Sequence, residues 1–136
     1  MADAVDHISR SLTAAGDYGS ALRLRQVAHE ITARSLGPDH SETLNSRNDL
    51  ATALDLFGRH REAADLHQQV LTARGRILDP DHPDTLLSRS NLANALDHLG
   101  RHQEAADHHR HILATRERAL AEGGAAGGPG GRQSCQ

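Results

Sequence analysis

The stretch RHREAADLHQQVLTARGRIL, Arg59 to Leu78, returns 42 residues later as RHQEAADHHRHILATRERAL, Arg101 to Leu120. Laying residues 40–78 over 82–120 without a gap gives 22 identities in 39 positions. Stacked supersecondary units call for such a register, because each copy then meets the same neighbours as the one before. A fainter copy precedes these two: Leu12, Gly16, Ala21, Leu24 and Arg34 fall on Leu54, Gly58, Ala63, Leu66 and Arg76, and the run Leu36, Pro38, Asp39, His40 falls on Leu78, Pro80, Asp81, His82. The 136 residues therefore hold almost three units, about 1–39, 40–81 and 82–122, the first lacking its opening few residues.

Each unit reads as a helical hairpin. In HPDTLLSRSNLANALDHLG, Leu92, Ala95, Leu96 and Leu99 stand at i, i+3, i+4 and i+7, the stripe of an amphipathic helix. Pro83 and Asp84 suit a first turn, where a missing N–H costs nothing and a carboxylate meets the positive helix end; Gly100 supplies a left-handed stop. The second helix follows at once, with Ala105, His109, Ile112, Leu113 and Leu120 expected on one face. A lone hairpin cannot bury both its apolar faces, so the expectation is an all-α array sharing one continuous core. Its last helix has no following unit, which leaves an apolar edge at Ile112, Leu113 and Leu120; a homodimer through that end would cover it.

Composition agrees and excludes other classes. Tyr18 and Phe57 are the only aromatic residues, so the core is built from Leu, Ile, Val and Ala, which favours packed helices. All 15 basic residues are Arg, set against 18 acids, for a formal charge of -3. That balance does not describe a nucleic-acid binder: the arginines of the second helices alternate with Glu62, Asp65, Glu104, Asp107 and Glu117, and aromatic stacking platforms are lacking. The all-Arg usage fits a very GC-rich genome. Cys135 is the only cysteine, which rules out an internal disulfide and fits a reducing cytoplasm; no apolar run approaches a membrane span, and the N-terminus lacks signal-peptide features. A nucleophile elbow, a His-Glu-x-x-His motif and a cofactor motif are all missing, so neither catalysis nor a cofactor is expected. From Gly123 the text GGAAGGPGGRQSCQ reads as a flexible tail over 123–136, either a linker to a further domain or an added remnant.

The order Leu92, Ala93, Leu96, then Gly100, Ala105 and His109 resembles the tetratricopeptide pattern. With the 42-residue period and the connector DPDHPDTL, the chain is similar to the long-helix repeats of kinesin light chain, a subtype also common in actinobacterial proteins. His60, His67, His102, His109 and Arg25 stand where that family usually has Tyr or Phe. The resemblance implies a right-handed superhelix whose first helices line a concave groove for an extended peptide or a partner helix. Carried over, the groove positions are Asn45, Asn48, Asp49, Thr52 and Asp55 in the second unit, and Leu87, Ser90, Asn91, Asn94, Asp97 and His98 in the third. Asp3, Asp6, His7 and Arg10 continue the row in the first. Asn both donates to and accepts from a peptide backbone, as an extended ligand requires. With Asp3, Asp6, Asp49, Asp55 and Asp97 against Arg10, the groove reads as acidic and its ligand as a protein or peptide with basic residues.

Eleven histidines remain to be explained, five of them between His98 and His111. One reading makes them half-buried amphipathic rings in place of Tyr and Phe, as at His67 and His109. A second is a transition-metal site at Glu104, His108 and His111, spaced i, i+4, i+7 on the last helix. A third is a pH response, since protonating all eleven carries the formal charge from -3 to +8.

Overall fold

The computed structural model describes residues 2–127, and these form six α-helices: α1 (Ala2–Ala14), α2 (Tyr18–Leu36), α3 (Ser41–Phe57), α4 (His60–Ile77), α5 (Pro83–His98) and α6 (His102–Gly127). They pair as three hairpins, and each helix packs chiefly on its neighbours in the chain, so α2 joins the first hairpin to α3 and α4 joins the second to α5. The fold is an all-α repeat array, as the 42-residue register requires.

Local chemistry sets the boundaries. Gly58 and Gly100 close the first helices of their hairpins at φ +97° and +80°, left-handed values that cost a side-chain-bearing residue about 1 kcal/mol or more. The N-caps of α3 and α5 are histidines: Glu42 N–H donates to His40 Nδ1 at 3.1 Å, and Asp84 N–H donates to His82 Nδ1 at 3.0 Å. Each of these rings must therefore be neutral, with its proton on Nε2, to serve as a cap. Two of the eleven histidines thus belong to the repeat's connector.

The core is a chain of small and branched residues threaded through the hairpins. Ala63, Ala93, Ala95 and Ala105 are fully covered, which lets helix backbones approach closely, while Leu22, Leu54, Leu92 and Leu96 fill the space between. The predicted stripe Leu92, Ala95 and Leu96 is buried, with Leu99 packed against it.

The second face of the last hairpin departs from expectation. Ala105 and Ile112 are buried, but His109, Leu113 and Leu120 lie in solvent. The uncovered edge is therefore Leu113 and Leu120 without Ile112, which turns inward toward its own hairpin. α6 also runs to Gly127, past Gly123 where composition begins a tail; extending an existing helix by a turn needs no new nucleation. The rest of that expected tail, 128–136, lies outside the described residues.

Candidate functional site

The row that the resemblance assigns to a groove lies on the first helices: Asp3, Asp6, His7 and Arg10 on α1, Asn45 to Asp55 on α3, and Leu87 to His98 on α5. None of these named side chains is buried. Asn45, Thr52, Asn94 and His98 are exposed, and Asn48, Asp49, Asp55, Ser90, Asn91 and Asp97 are half-buried. A helix face that stays partly open along three hairpins and carries few apolar residues is a surface fit for polar contacts.

Two contacts tie the row together between hairpins. Asn91 Nδ2 donates to Asn48 Oδ1 at 3.0 Å, and His98 Nδ1 lies 2.6 Å from Asp55 Oδ2. Both pairs are 43 residues apart, one more than the repeat. Successive first helices thus face each other with a one-residue offset. Asn48 Oδ1 also receives His67 Nδ1–H at 3.1 Å; because Oδ1 can only accept, the proton sits on Nδ1.

Sequence reasoning missed the side chains that reach this row from the second helices. Arg25, on α2, donates to Asp6 Oδ1 at 2.9 Å and to Asp49 Oδ2 at 3.4 Å, while Arg10 pairs with Asp6 at 3.0 Å. The hydrogen bond from Arg25 holds the Asp6 carboxyl below its usual range; at Asp49, lost hydration outweighs the longer contact and pushes the carboxyl up. Arg74, on α4, donates to Asn45 Oδ1 at 2.5 Å and to Ser88 Oγ at 2.8 Å. Setting only Arg10 against the aspartates therefore overstates the acidity of the first two hairpins. The available signal was the register itself: Arg25 stands 42 residues before His67, so it occupies the position whose side chain turns toward the row.

At the far end of the row imidazoles take the place of guanidinium. Asp55 faces His60 Nδ1 through Oδ1 at 2.5 Å and His98 Nδ1 through Oδ2 at 2.6 Å. The same pattern recurs at Asp97, whose Oδ1 lies 2.9 Å from His102 Nδ1 and whose Oδ2 lies 3.8 Å from His109 Nε2. The hydrogen bond with His102 holds the Asp97 carboxyl below its usual range. His67 is different: only 3 % exposed, it is pushed by burial down to about 4, against the pull of Asp55, and so stays neutral.

The metal reading based on the last helix loses its ligands to other partners. Glu104 forms a two-pronged pair with Arg101, and His108 Nδ1 lies 3.0 Å from Arg89; burial, and after it the charge of Arg89, pushes His108 down. His111 is exposed. Among the described residues, the group of three ligand-type side chains whose ligating atoms lie within 4.8 Å of one another is instead Asp55, His60 and His98. Of the two rings expected to be half-buried, His67 is fully buried and His109 is exposed.

Comparison with known proteins agrees with this geometry. Nearly identical TPR-like repeats of a Podospora anserina candidate kinesin light chain superpose with a TM-score of 0.81 at 28% identity, covering 87% of this chain and 56% of that one. A single-substitution variant of the same repeats gives the same values. The TPR domain of Arabidopsis FLU matches in fold, with a TM-score of 0.68 at 20% identity over 85% of this chain and 93% of that domain. The chain thus spans little more than half of the Podospora repeats. Among curated proteins none matches. The tetratricopeptide repeat model matches residues 2–76 and 58–118, together almost all of the helical array, and the chain belongs to the tetratricopeptide repeat family.

Proposed function

We propose that this chain is a non-catalytic scaffold that holds an extended peptide or a partner helix along the polar face of α1, α3 and α5. Repeats of this family serve protein–protein interaction in general. What supports the finer reading is the Asn48–Asn91 pair, which uses the Oδ1 of one and the Nδ2 of the other. Asn48 Nδ2 and Asn91 Oδ1 stay outside the pair and are of the right types to meet a peptide C=O and N–H side by side. A depression of about 420 Å³ between the first two hairpins, lined by Asp6, Arg10, Arg25, Asp49, Thr52 and Leu56, offers room for one side chain of such a ligand. Because Arg25 offsets Asp6 and Asp49, the attraction for a basic ligand residue concentrates at Asp55 and Asp97.

The test is fluorescence anisotropy with extended peptides of matched length and opposite charge, at low and high salt, on the native chain and on Asn91→Ala/Asn94→Ala. The reading expects basic peptides to bind more tightly at low salt, and the double variant to weaken them while helicity is retained. Preference for acidic peptides, or binding indifferent to both salt and the asparagines, would refute it.

A second contact is supported by the bare edge of α6, where Leu113 is 60% and Leu120 76% exposed. End-to-end association of two copies would cover it. Light scattering should then report a dimer that Leu113→Asp/Leu120→Asp converts to monomer.

A further inference from the structure

We infer that Asp55, His60 and His98 form a binding site for one divalent transition-metal ion of the zinc class, placed where the second hairpin meets the third. The three side chains come from the end of α3, the start of α4 and the end of α5. Their ligating atoms lie within 4.8 Å of one another, and each imidazole turns its Nδ1 toward a different oxygen of the same carboxylate. The two rings stand 5.1 Å apart between centroids, tilted by 50°. Two nitrogen donors and one oxygen donor form a set suited to Zn²⁺, Ni²⁺, Co²⁺ or Cu²⁺ and poorly suited to Mg²⁺ or Ca²⁺, which take oxygen. Three protein ligands would leave a fourth tetrahedral position for water or an incoming group.

Two features separate this cluster from an ordinary surface ion pair. The Asp55 side chain is only 15% exposed, and in a chain whose acids at Asp6, Asp39, Glu62, Glu104 and Asp107 pair with arginine, its partners are the two imidazoles. Among the described residues no arginine pairs with this carboxylate in competition with an ion. His98 is about half exposed and His60 one-third, so both rings have room to swing outward. That freedom is needed, because donors bound to one zinc at ~2.0–2.1 Å sit roughly 3.3 Å apart. The N–O separations of 2.5 and 2.6 Å must open by less than an ångström.

The repeat supplies its own control. Asp97 and His102 reproduce Asp55 and His60, but the third ligand, His98, comes from the following hairpin, and among the described residues no side chain takes that place beside Asp97. An ion bound at Asp55 would bridge α3 and α4 to α5, so its binding should stiffen the junction between hairpins as well as occupy a site.

Calorimetric titration of the untagged full chain with zinc chloride, paired with thermal melting followed by circular dichroism, decides the matter. The expected result is one ion per chain and a raised Tm, with affinity reduced by about 10-fold or more in each of Asp55→Asn, His60→Gln and His98→Gln. Asp97→Asn and His108→Gln/His111→Gln should leave it unchanged. His98→Gln alters an exposed side chain and keeps the test open should Asp55→Asn fail to fold. The site is refuted if His98→Gln and His60→Gln bind as the native chain does. It is equally refuted if the loss appears in His108→Gln/His111→Gln, or if zinc binds several weak sites without raising Tm. Because Asp55 also serves the proposed peptide face, peptide binding is read separately, on the metal-free chain and through Asn91→Ala/Asn94→Ala, which leave the three ligands in place.

Discussion

α4 and α6 carry nearly the same words and live in different surroundings. Leu71 on α4 is 7% exposed, whereas its counterpart Leu113 on α6 is 60% exposed. His67 is buried against Asn48, while His109 stands in solvent near Asp97. Arg74 is 6% exposed and holds Asn45 and Ser88 across two helices; Arg116 is exposed. The difference lies in the next hairpin: α4 packs on both α3 and α5, whereas among the described residues α6 packs chiefly on α5 alone. In a repeat protein, identity at equivalent positions specifies the same local helix, and the neighbour decides what each side chain is worth.

The comparison breaks most sharply at the leucines. Leu71→Ala should lower unfolding stability by about 3 kcal/mol in a urea titration, through lost burial and the cavity left behind, while Leu113→Ala stays within about 0.5 kcal/mol. Equal costs at the two sites would mean that the outer face of α6 is also covered, by a second copy or otherwise.

Next comes His67. Its pKa falls from 6.5 in the unfolded chain to about 4 in the folded one, so between those values the unfolded state binds a proton that the folded state refuses. The contribution is complete above pH 6.5 and is lost as pH falls toward 4, by about 3 kcal/mol at most. His29 and His108, also pushed down by burial and a nearby arginine, act in the same direction. Urea midpoints measured down this range should drop steeply for the native chain and less steeply for His67→Gln. A slope untouched by His67→Gln would place the acid sensitivity elsewhere.

Arg74→Met should cost about 1–3 kcal/mol, because Asn45 Oδ1 and Ser88 Oγ lose a charged donor in a covered setting; Arg116→Met should be silent within about 0.5 kcal/mol. The smallest effect should not distinguish the hairpins at all. Gly58→Ala and Gly100→Ala each force a left-handed φ on a residue with a Cβ, with open space around it, for about 1 kcal/mol at both. Unequal values would show that the turns feel the array and are not purely local.

Much of the candidate site can be read in advance, and the unread part has one physical cause. Periodicity and resemblance place Asn48, Asn91, Asp55 and Asp97 on first helices, and they lie there in the structure. Their partners are not legible: the 43-residue pairing of Asn48 with Asn91 and of Asp55 with His98 depends on how successive hairpins rotate, which a 42-residue repeat does not encode. The long reach of Arg74 to Ser88 on the next hairpin is hidden for the same reason, whereas Arg25 shares the register of His67. Glu104, His108 and His111 share a helical face by spacing, yet Arg101 and Arg89 engage the first two, one from the preceding turn and the other from α5.

The sequence by itself determined the helices, their caps at His40 and His82, the left-handed stops at Gly58 and Gly100, and the division into hairpins, because each rests on contacts within a few residues of chain. Tertiary structure alone decided which histidines are buried, and which aspartates meet arginine and which meet imidazole. Those outcomes depend on the packing angle between hairpins, which is not written in the repeat.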